Sequence, residues 1–218
     1  MAPLNLVLLG KQGAGKGTQG QRLCATYGLA HISTGNILRA AVAADSVLGR
    51  EVAAVLDAGA LVSDELVNEL VKDRFGEPDA SRGALLDGYP RTLAQGEALE
   101  AVVGATGLAL VINLDLPDDL VIARISSRRV CQECATVYRE SDVAAISGTC
   151  EKCGGDVVQR SDDRPEAIEQ RLEMFRRDTV PLFDFYAARA LLVTVNGDQS
   201  PDAVTADIES RLRERGVA

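Results

Sequence analysis

Tryptophan is absent from this 218-residue chain, and its only aromatic side chains apart from one histidine are four phenylalanines and four tyrosines. A core must therefore rest on leucine, valine and alanine, which a hydrophobic content of 46% can supply. Positive charge is also scarce: 23 lysines and arginines face 32 acids, a net charge of −9. That balance argues against a nucleic-acid partner, which needs a broad basic face. No apolar run approaches the roughly 18 residues of a membrane span, so no membrane partner is expected. Residues 4–9, apolar except for Asn5, are too short for a signal-peptide core, and no basic residue precedes them. The cytoplasm is the expected compartment. Histidine occurs once, at His31, where a structural hydrogen bond is expected rather than catalysis or metal binding.

What is present begins with LNLVLLGKQGAGKGTQ at residues 4–19. The apolar run has the length of a buried strand. Gly10, Gly13, Gly15 and Gly17 follow, with Lys16 among them and Thr18 opening a helical pattern. Glycines let such a loop curl and turn backbone N–H groups toward an anion, and the helix behind adds its positive end. Lys16 supplies a full charge for the outer phosphates. This is the context of a phosphate-binding P-loop. Its hydroxyl comes one residue late, because Gly17 directly follows the lysine.

Beyond the loop, strands and helices alternate. Helices are expected over 18–27, ended by Gly28, over 37–44 behind Ser33-Thr34-Gly35-Asn36, and over 47–56, stopped at Gly59. Cys24 reads as a small buried hydrophobe of the first. Ser63 caps another helix to about Phe75. Strand 84–86 carries Asp87 at its carboxyl end, the edge where open parallel sheets bind ligands. Thr92-x-x-Gln95 fits a capping box for a helix to 103, strand 108–114 follows, and Pro117 starts a helix to 125. A second capping box, Asp163-x-x-Glu166, opens a helical stretch to about 190. Strand 191–195 and a helix begun by Ser200-Pro201 close the chain. The alternation implies an α/β fold, a five-stranded parallel sheet covered by helices on both faces.

Residues 126–163 break the pattern, with cysteines, glycines and polar residues in place of helical periodicity. Cys131-x-x-Cys134 and Cys150-x-x-Cys153 are separated by fifteen residues, the spacing of a four-thiolate zinc site. With every position filled by protein, the metal is expected to be structural and closed. Iron or cobalt suits the same thiolates, and two disulfides are the alternative in an oxidising compartment. Arg124, Arg128, Arg129, Arg160 and Arg171 flank the segment, suggesting a lid over phosphates; their alternative is to be solvated or paired, with Asp162 and Asp163 adjacent.

Four stretches resemble the adenylate kinases in order and spacing. They are Gly13-Ala14-Gly15-Lys16-Gly17-Thr18-Gln19, His31-Ile32-Ser33-Thr34-Gly35, Leu85-Leu86-Asp87-Gly88-Tyr89-Pro90-Arg91-Thr92 and Arg128-Arg129-Val130. The cysteine segment resembles the zinc-bearing lid of the long bacterial form. The resemblance implies a P-loop NTPase fold with a core of residues 1–32, 63–125 and 163–218, an AMP-binding segment at 33–62 and a lid at 126–162. It implies a monomer transferring the terminal phosphoryl of ATP to AMP, giving two ADP, with Mg2+ accompanying ATP and Zn2+ in the lid. Gly13, Ala14, Gly15, Lys16, Gly17 and Thr18 would hold ATP phosphates. Arg128, Val137 and Tyr138 would cover ATP from the lid, and the Gln199 main chain would approach its adenine. Thr34, Arg39, Ala60, Leu61, Val62, Gly88, Arg91 and Gln95 would hold AMP. Arg160 and Arg171 would complete the cationic cage with Lys16, Arg91 and Arg128, and Asp87 would act on magnesium-bound water.

Some positions depart from the family. Lys11 stands where a smaller neutral residue or proline is usual, adding a charge near the loop. Asn36 and Asn196 replace usual aspartates. Asn36→Asp is expected to change the magnesium dependence of the rate; identical titrations for the two proteins would refute this. Gln95 is explained either as the Thr92 cap partner or as an amide reading adenine, and the second is preferred, with Arg91 expected one helical turn away. A UMP/CMP kinase is the nearest rival. A GTPase is disfavoured, since Asn196-Gly197-Asp198 lacks the guanine signature.

Overall fold

A computed structural model describes residues 3–217; Met1, Ala2 and Ala218, the ends of the expected core, lie outside it. In chain order the elements are β1 (Leu6–Gly10), α1 (Lys16–Tyr27), β2 (Ala30–Ser33), α2 (Thr34–Ala43), α3 (Val47–Asp57), α4 (Asp64–Phe75), β3 (Ala84–Asp87) and α5 (Leu93–Val103). They continue with β4 (Leu110–Asp115), α6 (Asp118–Ser126), β5 (Arg128–Cys131), β6 (Val137–Arg139), α7 (Val143–Ser147) and β7 (Val157–Val158). Then come α8 (Pro165–Met174), α9 (Pro181–Ala187), β8 (Leu192–Asn196) and α10 (Pro201–Glu214).

The five-stranded sheet runs β2-β3-β1-β4-β8, every pair parallel. Its central strand explains the unbroken apolar run. Side chains alternate faces along a strand, and here both faces are covered. Leu6 and Leu8 pack with Leu23, Ile125, Ile168 and Ile208, from α1, α6, α8 and α10. Val7 and Leu9 pack on the other side with Leu38, Val71, Leu99 and Tyr186, from α2, α4, α5 and α9. The parallel register then brings strand ends together: Leu8 lies opposite Asp87, and Ser33 beside it on β2.

The inserted segment forms a separate antiparallel sheet, β6-β5-β7. Its buried cluster is small: Cys131, Tyr138, Ala144, Cys150 and Val157. Among the described residues no helix is long and apolar enough to cross a membrane.

Helix ends mark the differences from expectation. The loop feeds straight into α1 at Lys16, two residues early, so the lysine belongs to the first turn. Similarly, α2 begins at Thr34 with Ser33 at its N-cap and no side-chain cap bond. The Asp163-x-x-Glu166 capping box does not form. Arg164 is the N-cap and Pro165 takes the first helical position, where its missing N–H is no loss. The stretch 163–190 is also not one helix: a π-turn at Phe175–Thr179 separates α8 from α9, and Pro181 lacks the N–H that would continue the ladder. By contrast, Gly28 closes α1 in left-handed geometry, its N–H donating to the Cys24 carbonyl at 2.9 Å. Ser63 and Ser200 cap α4 and α10 through their hydroxyls.

Candidate active site

The glycine loop turns at the carboxyl edge of β1. Gly10 approaches β4 so closely that a Cβ would stand 2.5 Å from the Leu114 carbonyl oxygen. Gly15, at φ +99°, caps α1 in a conformation other residues resist. Lys16 folds back over the turn, its ammonium donating to the carbonyls of Gly10 at 2.6 Å and Lys11 at 2.8 Å. Burial pushes its pKa down to about 8; Asp87 opposes that, while Arg91, Arg171 and Arg128 add to it. A cation held among cations is stable only if an anion joins it.

The guanidinium groups converge on this point from distant parts of the chain. Arg91 is lowered to about 10 by burial and then by Arg171 and Arg39. Arg160 is lowered to about 9 by burial and then by Arg39 and Arg128. Burial also lowers Arg39 and Arg171. Asp87 sits among them at the end of β3. Burial would raise its pKa, yet His31, Lys16 and Arg91 together hold it below the ordinary carboxylate range. The His31 contribution is electrostatic, because its Nε2 stands 3.8 Å from the carboxylate and has no hydrogen-bond partner.

Four of the five flanking arginines are paired, as the alternative reading had it: Arg124 meets Asp198 at 3.1 Å and Arg129 meets Glu140 at 3.4 Å, both near the surface. Arg128 forks onto both oxygens of the fully buried Asp163, and Arg171 donates to Asp162 at 2.7 Å. The fork fixes the planar group in one orientation. Among the described residues Arg39, Arg91 and Arg160 have no carboxylate within salt-bridge distance; Arg39 is steadied by Asn36 Oδ1 at 2.9 Å and Arg91 by the Gly88 carbonyl at 2.8 Å.

Two cavities adjoin here. A crevice of about 700 Å³ is lined by Gly13, Ala14, Gly15, Lys16, Gly17, Thr18, Asp87, Arg128, Val137, Tyr138, Arg160 and Gln199. A smaller one is lined by Thr34, Ala60, Leu61, Val62 and Gln95. Arg39, Gly88, Arg91 and Arg171 line both. Every residue expected to touch ATP thus lies on the first, and every one expected to touch AMP lies on the second except Arg160, which lines the first.

Comparison with known proteins gives this arrangement its family. The Adenylate kinase family matches residues 8–191. The adenylate kinase of Symbiobacterium thermophilum is 44% identical over 213 residues, covering 96% of this chain and 99% of that protein. The Bacillus subtilis adenylate kinase is 44% identical over 212 residues, 96% and 98% of the two chains. That of Thermodesulfovibrio yellowstonii is 43% identical over 215 residues, 97% and 100%. The chain belongs to the adenylate kinase family. The reaction is therefore reversible phosphoryl transfer from ATP to AMP, giving two ADP.

Several expectations for this adenylate kinase need correcting. Lys11 does not add charge to the phosphate loop: its ammonium pairs with Asp118 at 2.5 Å, donates to the Leu116 carbonyl at 2.9 Å and does not line the crevice. Lys11→Met is accordingly expected to leave kcat and the KM for ATP within about twofold; a larger change in steady-state KM would show that the charge reaches the phosphates. Arg91 is not on a helix beside Gln95; it lies in the turn ahead of α5. Gln95 does not close the box on Thr92 either. Thr92 caps the Gln95 backbone N–H at 3.2 Å, but the Gln95 side-chain oxygen Oε1 reaches one residue further, accepting from the Arg91 N–H at 2.7 Å. Its amide nitrogen donates to Asp64, 31 residues away, a partner that nothing local signals.

Remaining positions divide between site and scaffold. The Gln199 side chain is occupied by the Asn196 carbonyl and Asp207, and the residue lines the crevice. Asn196 accepts from the Asp198 N–H in the same turn. Tyr138 lines the crevice but sends its hydroxyl to Cys150 Sγ, 3.2 Å away.

The four cysteine sulfurs all lie within 4.8 Å of one another. The pairs Cys131–Cys153 at 3.4 Å and Cys134–Cys150 at 3.6 Å are far beyond a disulfide bond. Sulfurs around a tetrahedral zinc stand about 3.8 Å apart, given bonds of about 2.3 Å, so the donor set fits that ion. In the second knuckle, Gly155 allows a close approach to the first. A Cβ on Gly155 would lie 2.5 Å from Glu133 and 3.2 Å from Cys131 Sγ, while the Gly154 N–H bonds the Cys150 carbonyl.

Proposed function

We propose that the larger crevice takes ATP and the smaller cavity AMP, so that the two phosphate tails meet between Lys16 and the shared arginines. The observation that carries this reading is the sharing itself: Arg39, Gly88, Arg91 and Arg171 border both cavities. Residues 33–62 act as the AMP-binding segment, 126–162 as the lid and the remainder as the core.

An AMP phosphate oxygen is already nucleophilic near neutral pH, so the step needs no general base. It needs in-line positioning and neutralisation of charge. Lys16 exchanges the Gly10 and Lys11 carbonyls for phosphate oxygens. Arg128 and Arg171, oriented by Asp163 and Asp162, close the cage with Arg91 and Arg160. Adenylate kinases use magnesium with ATP, and the ion would neutralise phosphate charge. Asp87 suits its water shell: a buried carboxylate held ionised, 3.7 Å from where a Gly17 side chain would begin. Zinc on Cys131, Cys134, Cys150 and Cys153 would be structural, with no position left for water. The protein works as a monomer in the cytoplasm, with no nucleic-acid or membrane partner.

A coupled assay of ADP formation with AMP, UMP, CMP and GMP as acceptors, alongside metal analysis of the same sample, tests this. AMP is expected to be preferred and about one zinc found per chain. Equal or better turnover of a pyrimidine monophosphate would displace AMP from the smaller cavity.

A further inference from the structure

The side chain of Gln95 is almost wholly buried, yet it borders the smaller cavity. Both ends of its amide are engaged. Its oxygen accepts from the Arg91 backbone N–H at 2.7 Å, and its nitrogen donates to Asp64 Oδ1 at 2.7 Å. A backbone N–H can only donate and a carboxylate can only accept, so these partners admit one orientation of the amide. Asp64 is itself held, since its other oxygen accepts from the Thr92 hydroxyl at 2.7 Å. That hydroxyl in turn accepts from the Gln95 backbone N–H, closing a ring of three residues.

We propose that Asp64 is a specificity-determining positioning residue: by preventing the Gln95 amide from flipping, it makes the monophosphate cavity accept 6-aminopurines and reject 6-oxopurines. The inference rests on the reading of this cavity as the AMP site with Gln95 facing the base. What the amide has left is one N–H and one carbonyl lone pair, in fixed places. Adenine offers an acceptor at N1 and a donor at its 6-amino group. Guanine and hypoxanthine offer a donor at N1 and an acceptor at O6, the two exchanged in position. An amide free to rotate by half a turn would serve both classes equally. In the native ring a half-turn sets oxygen against the Asp64 carboxylate and N–H against the Arg91 N–H, leaving buried groups unpaired.

Asp64→Asn removes one of the two constraints, because an asparagine amide can present its own N–H to a turned Gln95. The kcat/KM ratio of GMP and IMP to AMP is expected to rise roughly tenfold, the Arg91 N–H keeping it from rising further. Asp64→Ala should shift the ratio in the same direction and serves if the asparagine variant does not fold. Asp64→Glu, which keeps a carboxylate, should return preference toward AMP. A ratio depends little on the fraction of active protein, so lost stability alone does not move it. Gln95→Leu separates the two levels of the claim. If it changes the ratio while neither Asp64 variant does, Gln95 reads the base and the lock is wrong. If it leaves the ratio unchanged, Gln95 does not read the base, and both this proposal and that assignment fall.

Discussion

Lys16→Met is expected to lower kcat by roughly 100- to 1,000-fold while raising the melting temperature of the nucleotide-free protein. On the proposed reading, the rate loss follows from removing the ammonium that would meet the transferring phosphoryl group, an interaction on the order of 3–4 kcal/mol at the transition state. The stability gain has a separate origin. Burial, reinforced by Arg91, Arg171 and Arg128, lowers the Lys16 pKa from 10.5 to about 8. A lysine with a depressed folded-state pKa destabilises the fold fully below that value, where both states are charged. Between about pH 8 and 10.5 the unfolded chain binds the extra proton, so wild-type stability recovers as pH rises, and above 10.5 the penalty is gone. At pH 7 the penalty is on the order of 3 kcal/mol, partly offset by the bonds to Gly10 and Lys11. Methionine abolishes it, and a gain of a few degrees is the expected size. The two melting curves should converge toward pH 10. Equal melting temperatures at pH 7 would contradict a strained ammonium. The same titration should make wild-type kcat/KM for ATP fall as pH rises through about 8, because that parameter reports the free enzyme.

Chelating the metal, or replacing Cys150 with serine, is expected to melt residues 126–162 well before the rest. The segment's buried cluster is five residues, of which two are cysteines, and it shares none with the clusters on the faces of the main sheet. So few side chains cannot offset the ordering of such a length of chain, whereas structural zinc contributes about 10–16 kcal/mol in small domains that depend on it. Calorimetry of the chelated protein should therefore show a low-temperature transition absent from the metal-bound form, and four additional cysteines should react with a thiol reagent. Phosphoryl transfer should fall steeply, since Arg128, Val137 and Tyr138 would no longer enclose the crevice. The core transition should move less, because the segment shares no buried cluster with the main sheet; the one loss reaching the core is the Arg128 partner of the buried Asp163. A single unaltered transition after complete metal removal would show that the cysteine segment folds without the ion.

Much of the scaffold was legible one stretch at a time. An apolar run followed by glycines and a lysine can hardly be other than a strand feeding a phosphate loop, because only glycine tolerates Gly15's backbone and Gly10's approach to Leu114. Two C-x-x-C pairs announce their own cluster, since each knuckle is a local turn. Even the carboxylate of Asp87 could be placed, as a residue at the carboxyl end of a parallel strand.

What resisted was any property decided by a partner remote in sequence. Whether Lys11 charges the phosphate loop depends on Asp118, and whether Arg128 is free depends on Asp163; neither distance along the chain carries a periodic signal. The same holds for Gln95, whose local spacing fits a capping box equally well but whose amide is claimed by Arg91 and Asp64. Helix starts failed for a related reason: side chains and prolines near a terminus compete on terms of about 1 kcal/mol, and packing selects among them. Composition and motif thus determined the sheet, the loop, the cysteine cluster and the family. Only the folded chain decided which cations are paired, which way the Gln95 amide points and where the long helix after residue 163 breaks. Short-range backbone preferences are written residue by residue, whereas hydrogen-bond partners are set by elements that meet only in three dimensions.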